Sequence, residues 1–293
     1  MKNFYPLKKG DTIGVAAPSA RFDENRLNQG IECLKQLGFQ VHVPRAIFGE
    51  KRYLAGDDAS RAAVVNELFA DPGIKGIISA RGGFGAMRML VYLDWDLIRK
   101  NPKLVMGFSD ATALLMALLQ QTQFAGVHGP NLVSLADADP KTISSFFQAI
   151  TGLPKDISLP RGLCLSPGQA MGKLMGGNMA TLTHLIGTAF QPDFKKSVLF
   201  LEDVGEPAYK IDRMLSQMKM AGLFEGVQGV VTGSFANCET PEYIPQILLE
   251  IFDGIPLLMG LAAGHGDLNL SLAMGLDVVL DTSSAVLKWK PLQ

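Results

Sequence analysis

The sequence predicts an α/β protein, with a parallel sheet covered by helices in the first half of the chain and a second, mixed domain after it. Three observations carry the prediction. Apolar runs of strand length alternate with stretches of helical period from Thr12 to His128, the order that builds right-handed βαβ units. A polar stretch marked by proline and glycine interrupts this rhythm between about residues 136 and 168. Strands and helices then resume, and the chain closes on a pair of strand runs.

Residues 12–17 (TIGVAA) read as a buried strand ended by Pro18. Residues 23–37 are helical, with Ile31, Cys33, Leu34 and Leu37 on one side and Gly38 as the stop. Residues 40–43 give the second strand. Asp58 is the expected cap of a helix striped by Ala62, Val65, Leu68 and Phe69, which Pro72-Gly73 closes. Residues 75–80, 104–107 and 125–128 are the third to fifth strands. Ligands of such sheets bind at the carboxyl ends of the strands, where Arg81-Gly82-Gly83-Phe84-Gly85 and Ser109 fall. A helix at 141–150 completes a first domain over residues 1–150, and residues 151–168 read as a linker. The second domain, 169–293, takes strands near 169–174, 198–202, 227–232, 276–280 and 285–289, with helices near 178–186, 209–220 and 241–252.

Composition excludes several functions. A hydrophobic content of 47% with 19% charged residues describes a soluble globular chain. The net charge of −1, with basic residues scattered, gives no footprint for nucleic acid or an anionic membrane. No run approaches the roughly 18 apolar residues of a membrane span, and residues 1–6 contain no apolar leader core, so a cytoplasmic location is expected. The three cysteines, Cys33, Cys164 and Cys238, form no Cys-x-x-Cys pair, and none of the four histidines stands at metal spacing. Neither a metal nor a cofactor is expected.

The chemistry gathers at residues 103–119, a short strand, a tight turn carrying Ser109 and an apolar helix. Such a corner lifts a serine hydroxyl above the sheet and aims the backbone N–H groups of the helix start at whatever the serine attacks. Gly107-Phe108-Ser109-Asp110-Ala111 lacks the second glycine of a Gly-x-Ser-x-Gly elbow, and the alternative is that Ser109 caps the helix. A nucleophilic serine needs a base. His42 faces outward on a strand, and His184 reads as a packed core residue. His265, between Gly264 and Gly266, is the leading candidate and His128, at a strand end, the second. The orienting acid falls in residues 198–206, where alternation puts Val198, Phe200 and Glu202 on one face; Glu202 or Asp203 can serve. The glycine loop after Arg81 lacks the last glycine of a phosphate fingerprint, Arg88 standing in its place. It is well placed to offer an oxyanion donor.

These pieces occur together in one family. Residues 10–19 (GDTIGVAAPS), 81–85 (RGGFG), 107–110 (GFSD), 128–130 (HGP), 176–178 (GGN), 199–206 (LFLEDVGE), 211–213 (IDR) and 264–266 (GHG) stand in an order that resembles the LD-carboxypeptidases, serine peptidases that trim bacterial muropeptides. The resemblance runs nearly end to end, with Phe84 and Phe108 where tyrosine is also common. It implies a flavodoxin-like N-terminal domain carrying the nucleophile and a smaller C-terminal domain of swivelling β/β/α type carrying the glutamate and histidine. It implies a triad of Ser109, His265 as base and Glu202 as orienting acid, with oxyanion donors at the N–H groups of Gly83 and Asp110. The site then lies between the domains. A homodimer is implied, and a substrate peptide ending in a D-amino acid. The expected activity is release of terminal D-alanine from cytoplasmic tetrapeptides, at the bond following an L-diamino acid, in peptidoglycan recycling. Arg81 and His128 are candidates for substrate contact, Arg81 because a guanidinium fits a terminal carboxylate. One rival is an immunity peptidase acting on microcin C-type antibiotics with the same triad. Another, from a different class, is a two-domain protein that binds a small ligand without catalysis.

Overall fold

A computed structural model describes residues 4–152, 154, 156–159 and 162–291. Leu153, Lys155, Pro160 and Arg161 of the expected linker lie outside them. The first sheet is built on five parallel strands, β1 (Thr12–Ala16), β2 (Gln40–His42), β3 (Ile74–Ser79), β4 (Leu104–Gly107) and β5 (Gly126–His128), in the order β2-β1-β3-β4-β5. This is the doubly wound order of flavodoxin-like sheets. Between the strands run α1 (Glu24–Gln36), α2 (Asp58–Ala70), the short α3 (Ala86–Met89) and α4 (Trp95–Lys100), and α5 (Ala111–Thr122); α6 (Pro140–Thr151) follows β5.

The cap of α2 is Asp57, not Asp58: its carboxylate accepts from Ser60 N at 2.9 Å. Asp58, one residue inside, is thereby free to pair with Arg61 and Arg88. The strand order reverses between β1 and β3, and the loops leaving their carboxyl ends touch, Ala20 N donating to Gly82 O at 3.3 Å.

The second half adds β6 (Ile157–Ser158), β7 (Leu163–Ser166), β8 (Gln169–Asn178), α7 (Met179–His184), β9 (Ser197–Val204), α8 (Ala208–Met220), β10 (Gly229–Ala236), α9 (Ile244–Ile251), β11 (Leu257–Met259), β12 (Leu272–Met274), β13 (Asp277–Asp281) and β14 (Val286–Trp289). All but β12 form one sheet in the order β6-β14-β13-β8-β9-β10-β11-β7. Its centre, β8 to β11, is parallel, and antiparallel strands close both edges. Two features depart from the sequence reading. β6 and β7, inside the expected linker, are strands of the second sheet. β12, from the second half, crosses to the first sheet and pairs antiparallel with β5, Leu272 opposite His128. The halves are therefore joined through a shared strand as well as the linker.

Helix α5 explains its own composition. It is buried all round from Ala111 to Leu119, as a helix without a polar face must be. Its start follows β4, and its other side meets β8, where Asn178 N donates to Thr112 Oγ1 at 3.1 Å and Gly176 N to Met116 Sδ at 3.4 Å. The serine-bearing corner thus sits at the seam between the sheets. Among the described residues no helix is long and apolar enough to cross a membrane.

Candidate active site

Ser109 follows β4 with φ +63°, a left-handed conformation that costs an L-residue about 1–2 kcal/mol. Strain of this kind is retained where the surroundings over-determine it. The capping alternative does not describe this corner. Asp110 holds the N-cap position of α5, no side chain caps the helix, and Ser109 contributes its carbonyl, accepting from Thr112 N at 2.9 Å. The Asp110 carboxylate also turns away from the helix start to accept from Ala86 N at 2.8 Å, tying the elbow to the glycine loop. Burial pushes its pKa up.

Buried Asn131 holds the elbow from behind. Its Oδ1 accepts from Phe108 N at 3.3 Å and its Nδ2 donates to Phe108 O at 3.4 Å, so one side-chain amide imitates a neighbouring strand. The glycine loop lies against the serine so closely that a Cβ on Gly82 would stand 2.9 Å from Ser109 Oγ. Gly83 takes φ +109°, and a Cβ there would meet Ala20. Buried Arg61 fixes the end of this loop, donating to Gly85 O at 2.9 Å and to Pro18 O while pairing with Asp58. Among the described residues the N–H groups of Gly83 and Asp110 donate to no protein acceptor.

The second half supplies the acid and the imidazole. Glu202 is fully buried on β9, and its Oε2 lies 2.7 Å from His265 Nδ1 and 3.3 Å from His265 N. Alternation sends Asp203 to the opposite face, where it accepts from Asn178 Nδ2, Ala180 N and Val204 N at 2.9–3.0 Å. Burial outweighs these donors and pushes its pKa up to about 6. Of the two acids, Glu202 is the one in contact with the histidine. The His265 loop is pinned from the first half: Thr142 Oγ1 accepts from Asn269 N at 3.1 Å, and Asn269 Oδ1 accepts from Gly264 N at 3.0 Å.

The halves of the site meet at Phe108, whose ring centroid lies 4.8 Å from that of His265. Among the described residues the Ser109 hydroxyl makes no hydrogen bond to His265; catalytic contacts of this kind commonly tighten only when substrate binds. Two other histidines lie elsewhere than expected. His128, expected to line the site, is fully buried between Phe108 and Phe200, where burial pushes its pKa down to about 4. His184, read as a core residue, is exposed at the end of α7. Arg81 is exposed beside the glycine loop, Nη1 donating to Arg21 O at 2.6 Å.

Gly264 takes φ +97°, and a Cβ there would run into Glu202 Oε2. Gly264→Ala is therefore expected to lower kcat on the order of 10²-fold by displacing the histidine, and to lower Tm. Steady-state kinetics with a thermal melt check both.

A strained serine elbow, adjacent backbone N–H groups that no described protein group accepts from, and a histidine–glutamate pair are the parts of a serine hydrolase. Comparison with known proteins narrows that class. Residues 13–129 match the model of the LD-carboxypeptidase N-terminal domain and residues 171–280 that of its C-terminal domain. The chain belongs to the LD-carboxypeptidase family, peptidase family S66. It is 37% identical over 295 residues to a probable murein peptide carboxypeptidase of Bacillus subtilis, covering 96% of this chain and 92% of that one. It is 30% identical over 316 residues to the microcin C7 self-immunity protein MccF of Escherichia coli, covering 94% and 92%. In structure it resembles MccF in its apo state (TM-score 0.92, 27% identity, 100% and 99% covered). It also resembles a muramoyltetrapeptide carboxypeptidase of Oxalobacter formigenes (TM-score 0.83, 27% identity, 94% and 97% covered).

Proposed function

We propose that this peptidase is a serine LD-carboxypeptidase that releases terminal D-alanine from muropeptide tetrapeptides in peptidoglycan recycling. The observation that carries the reading is the buried Glu202–His265 pair, joined through Phe108 to the strained Ser109 elbow. Ser109 Oγ attacks the carbonyl of the L-diamino acid as His265 takes its proton. Glu202 holds the imidazole tautomer and offsets the positive charge that develops on it. The oxyanion is received by the N–H groups of Gly83 and Asp110. His265 then returns the proton to the departing amine of D-alanine, and water releases the acyl group by the same steps in reverse.

The murein reading is preferred over antibiotic immunity on sequence identity. The chain is 37% identical to the probable murein peptide carboxypeptidase and 30% identical to the microcin self-immunity protein, at similar coverage of both. The test is direct competition. With L-Ala-γ-D-Glu-meso-diaminopimelate-D-Ala and a microcin-type aminoacyl adenylate, D-alanine release is expected to have the higher kcat/KM. Cleavage of the adenylate alone would transfer the assignment to immunity, and cleavage of neither would favour a binding role.

Arg81 is assigned to the terminal carboxylate of the substrate. Among the described residues no carboxylate pairs with it, and its one hydrogen bond leaves the rest of the fork free. Arg81→Lys is expected to raise KM for the free-acid tetrapeptide about 10-fold, in line with a hydrogen bond to a charged group, and to leave KM for the amidated peptide nearly unchanged. Equal changes on both substrates would remove Arg81 from this role. The homodimer implied by the family resemblance is part of the proposal and is checked by sedimentation.

A further inference from the structure

Behind the catalytic pair lies a second imidazole that the proposed reaction does not use. His128 ends β5, its backbone between Gly107 of β4 and Leu272 of β12. Its ring packs edge-on to Phe108 on one side (centroids 6.1 Å apart) and Phe200 on the other (5.0 Å). Phe200 and Glu202 share a face of β9, and Phe108 also touches His265. Two imidazoles, two phenyl rings and one carboxylate thus form a single packed unit, and the titratable groups that face His128 are Glu202 and His265.

Within this unit both ring nitrogens of His128 and Oε1 of Glu202 are buried with no partner among the described residues. Leaving such groups buried and unsatisfied is destabilising. Native interiors satisfy them, with ordered water where no protein atom reaches. We propose that His128 is a positioning residue of the catalytic pair, donating a ring N–H through one buried water to Glu202 Oε1. Oε2 is committed to His265, so a donor on Oε1 fixes the carboxylate plane and with it the direction of the imidazole. Burial keeps His128 neutral, with one ring nitrogen a donor and the other an acceptor. The inference rests on the Ser109–His265–Glu202 reading.

The test uses the full chain and D-alanine release. His128→Phe keeps an aromatic ring in an aromatic-lined site and removes the polar atoms; His128→Gln returns an N–H donor. His128→Phe is expected to lower kcat about 10-fold, the scale of a lost hydrogen bond to a charged group, with KM unchanged, and His128→Gln to recover most of that loss. Wild-type kcat in His128→Phe, or a glutamine variant no better than the phenylalanine one, overturns the proposal. Nitrogen-15 NMR of histidine-labelled wild-type protein keeps the test open if the variants fold poorly. His128 is expected to stay neutral between about pH 5 and 8, with one ring N–H protected from exchange and close to a bound water. Titration in that range, or free exchange of the ring N–H, overturns it. Ser109→Ala in the same assay separates the two failures. An active Ser109→Ala refutes the triad, whereas an inactive one beside a fully active His128→Phe refutes the role of His128 alone.

Discussion

Ser109→Ala is expected to abolish D-alanine release, with kcat falling by about 10⁴-fold or more, while the protein folds as before. The hydroxyl makes no hydrogen bond to a described residue and caps no helix, so its removal takes nothing from the packing. The chemical loss is large because members of a triad act as a unit. For the same reason the Ser109→Ala/His265→Ala double variant is expected to be little worse than either single change. Ser109→Gly separates activity from stability. It loses activity equally, yet relieves the φ of +63° and is expected to gain about 1 kcal/mol of stability. Kinetics with a denaturant melt of each variant measure both effects.

Glu202→Gln is expected to lower kcat by about 10³–10⁴-fold with little change in KM. Glu202 accepts from both the backbone N–H and Nδ1 of His265. A glutamine can present its oxygen to that pair but brings no charge to offset the imidazolium, and presenting its amide instead forces the wrong tautomer. Asp203→Asn is the control. Asp203 faces only donors, from Asn178, Ala180 and Val204, so an amide there places one N–H group against another. It is expected to lower Tm by loosening the start of α7, with a far smaller effect on kcat. A crippled Asp203→Asn beside a nearly normal Glu202→Gln would contradict the assignment of the acid.

The parts of this site that are legible in the sequence depend on local rules. Strand alternation places Glu202 and Asp203 on opposite faces, and the run from β4 into α5 marks the serine corner. A histidine between two glycines marks a loop in which the backbone adopts unusual angles, realised at Gly264 with φ +97°. The illegible parts are non-local. Asn131 grips Phe108 across 23 residues and Asn269 reaches Thr142 across 127, and neither spacing carries a periodic signal. β11 and β12 are three-residue strands inside apolar, glycine-broken runs, too short for periodicity to separate from loop. That β12 joins the first sheet is a matter of tertiary topology. Asp57 and Asp58 are equally good caps, and only the geometry of α2 decides between them. His184 has apolar neighbours, yet a six-residue helix ending at that position leaves it exposed.

Covalent trapping distinguishes a Ser109 nucleophile activated by the His265–Glu202 pair from every alternative. The wild-type protein would be treated with a fluorophosphonate, digested, and the adduct located by mass spectrometry alongside Ser109→Ala and His265→Ala. One adduct is expected, on Ser109, absent from Ser109→Ala and forming far more slowly in His265→Ala. An adduct on another residue that abolishes D-alanine release while Ser109 remains unmodified would contradict it.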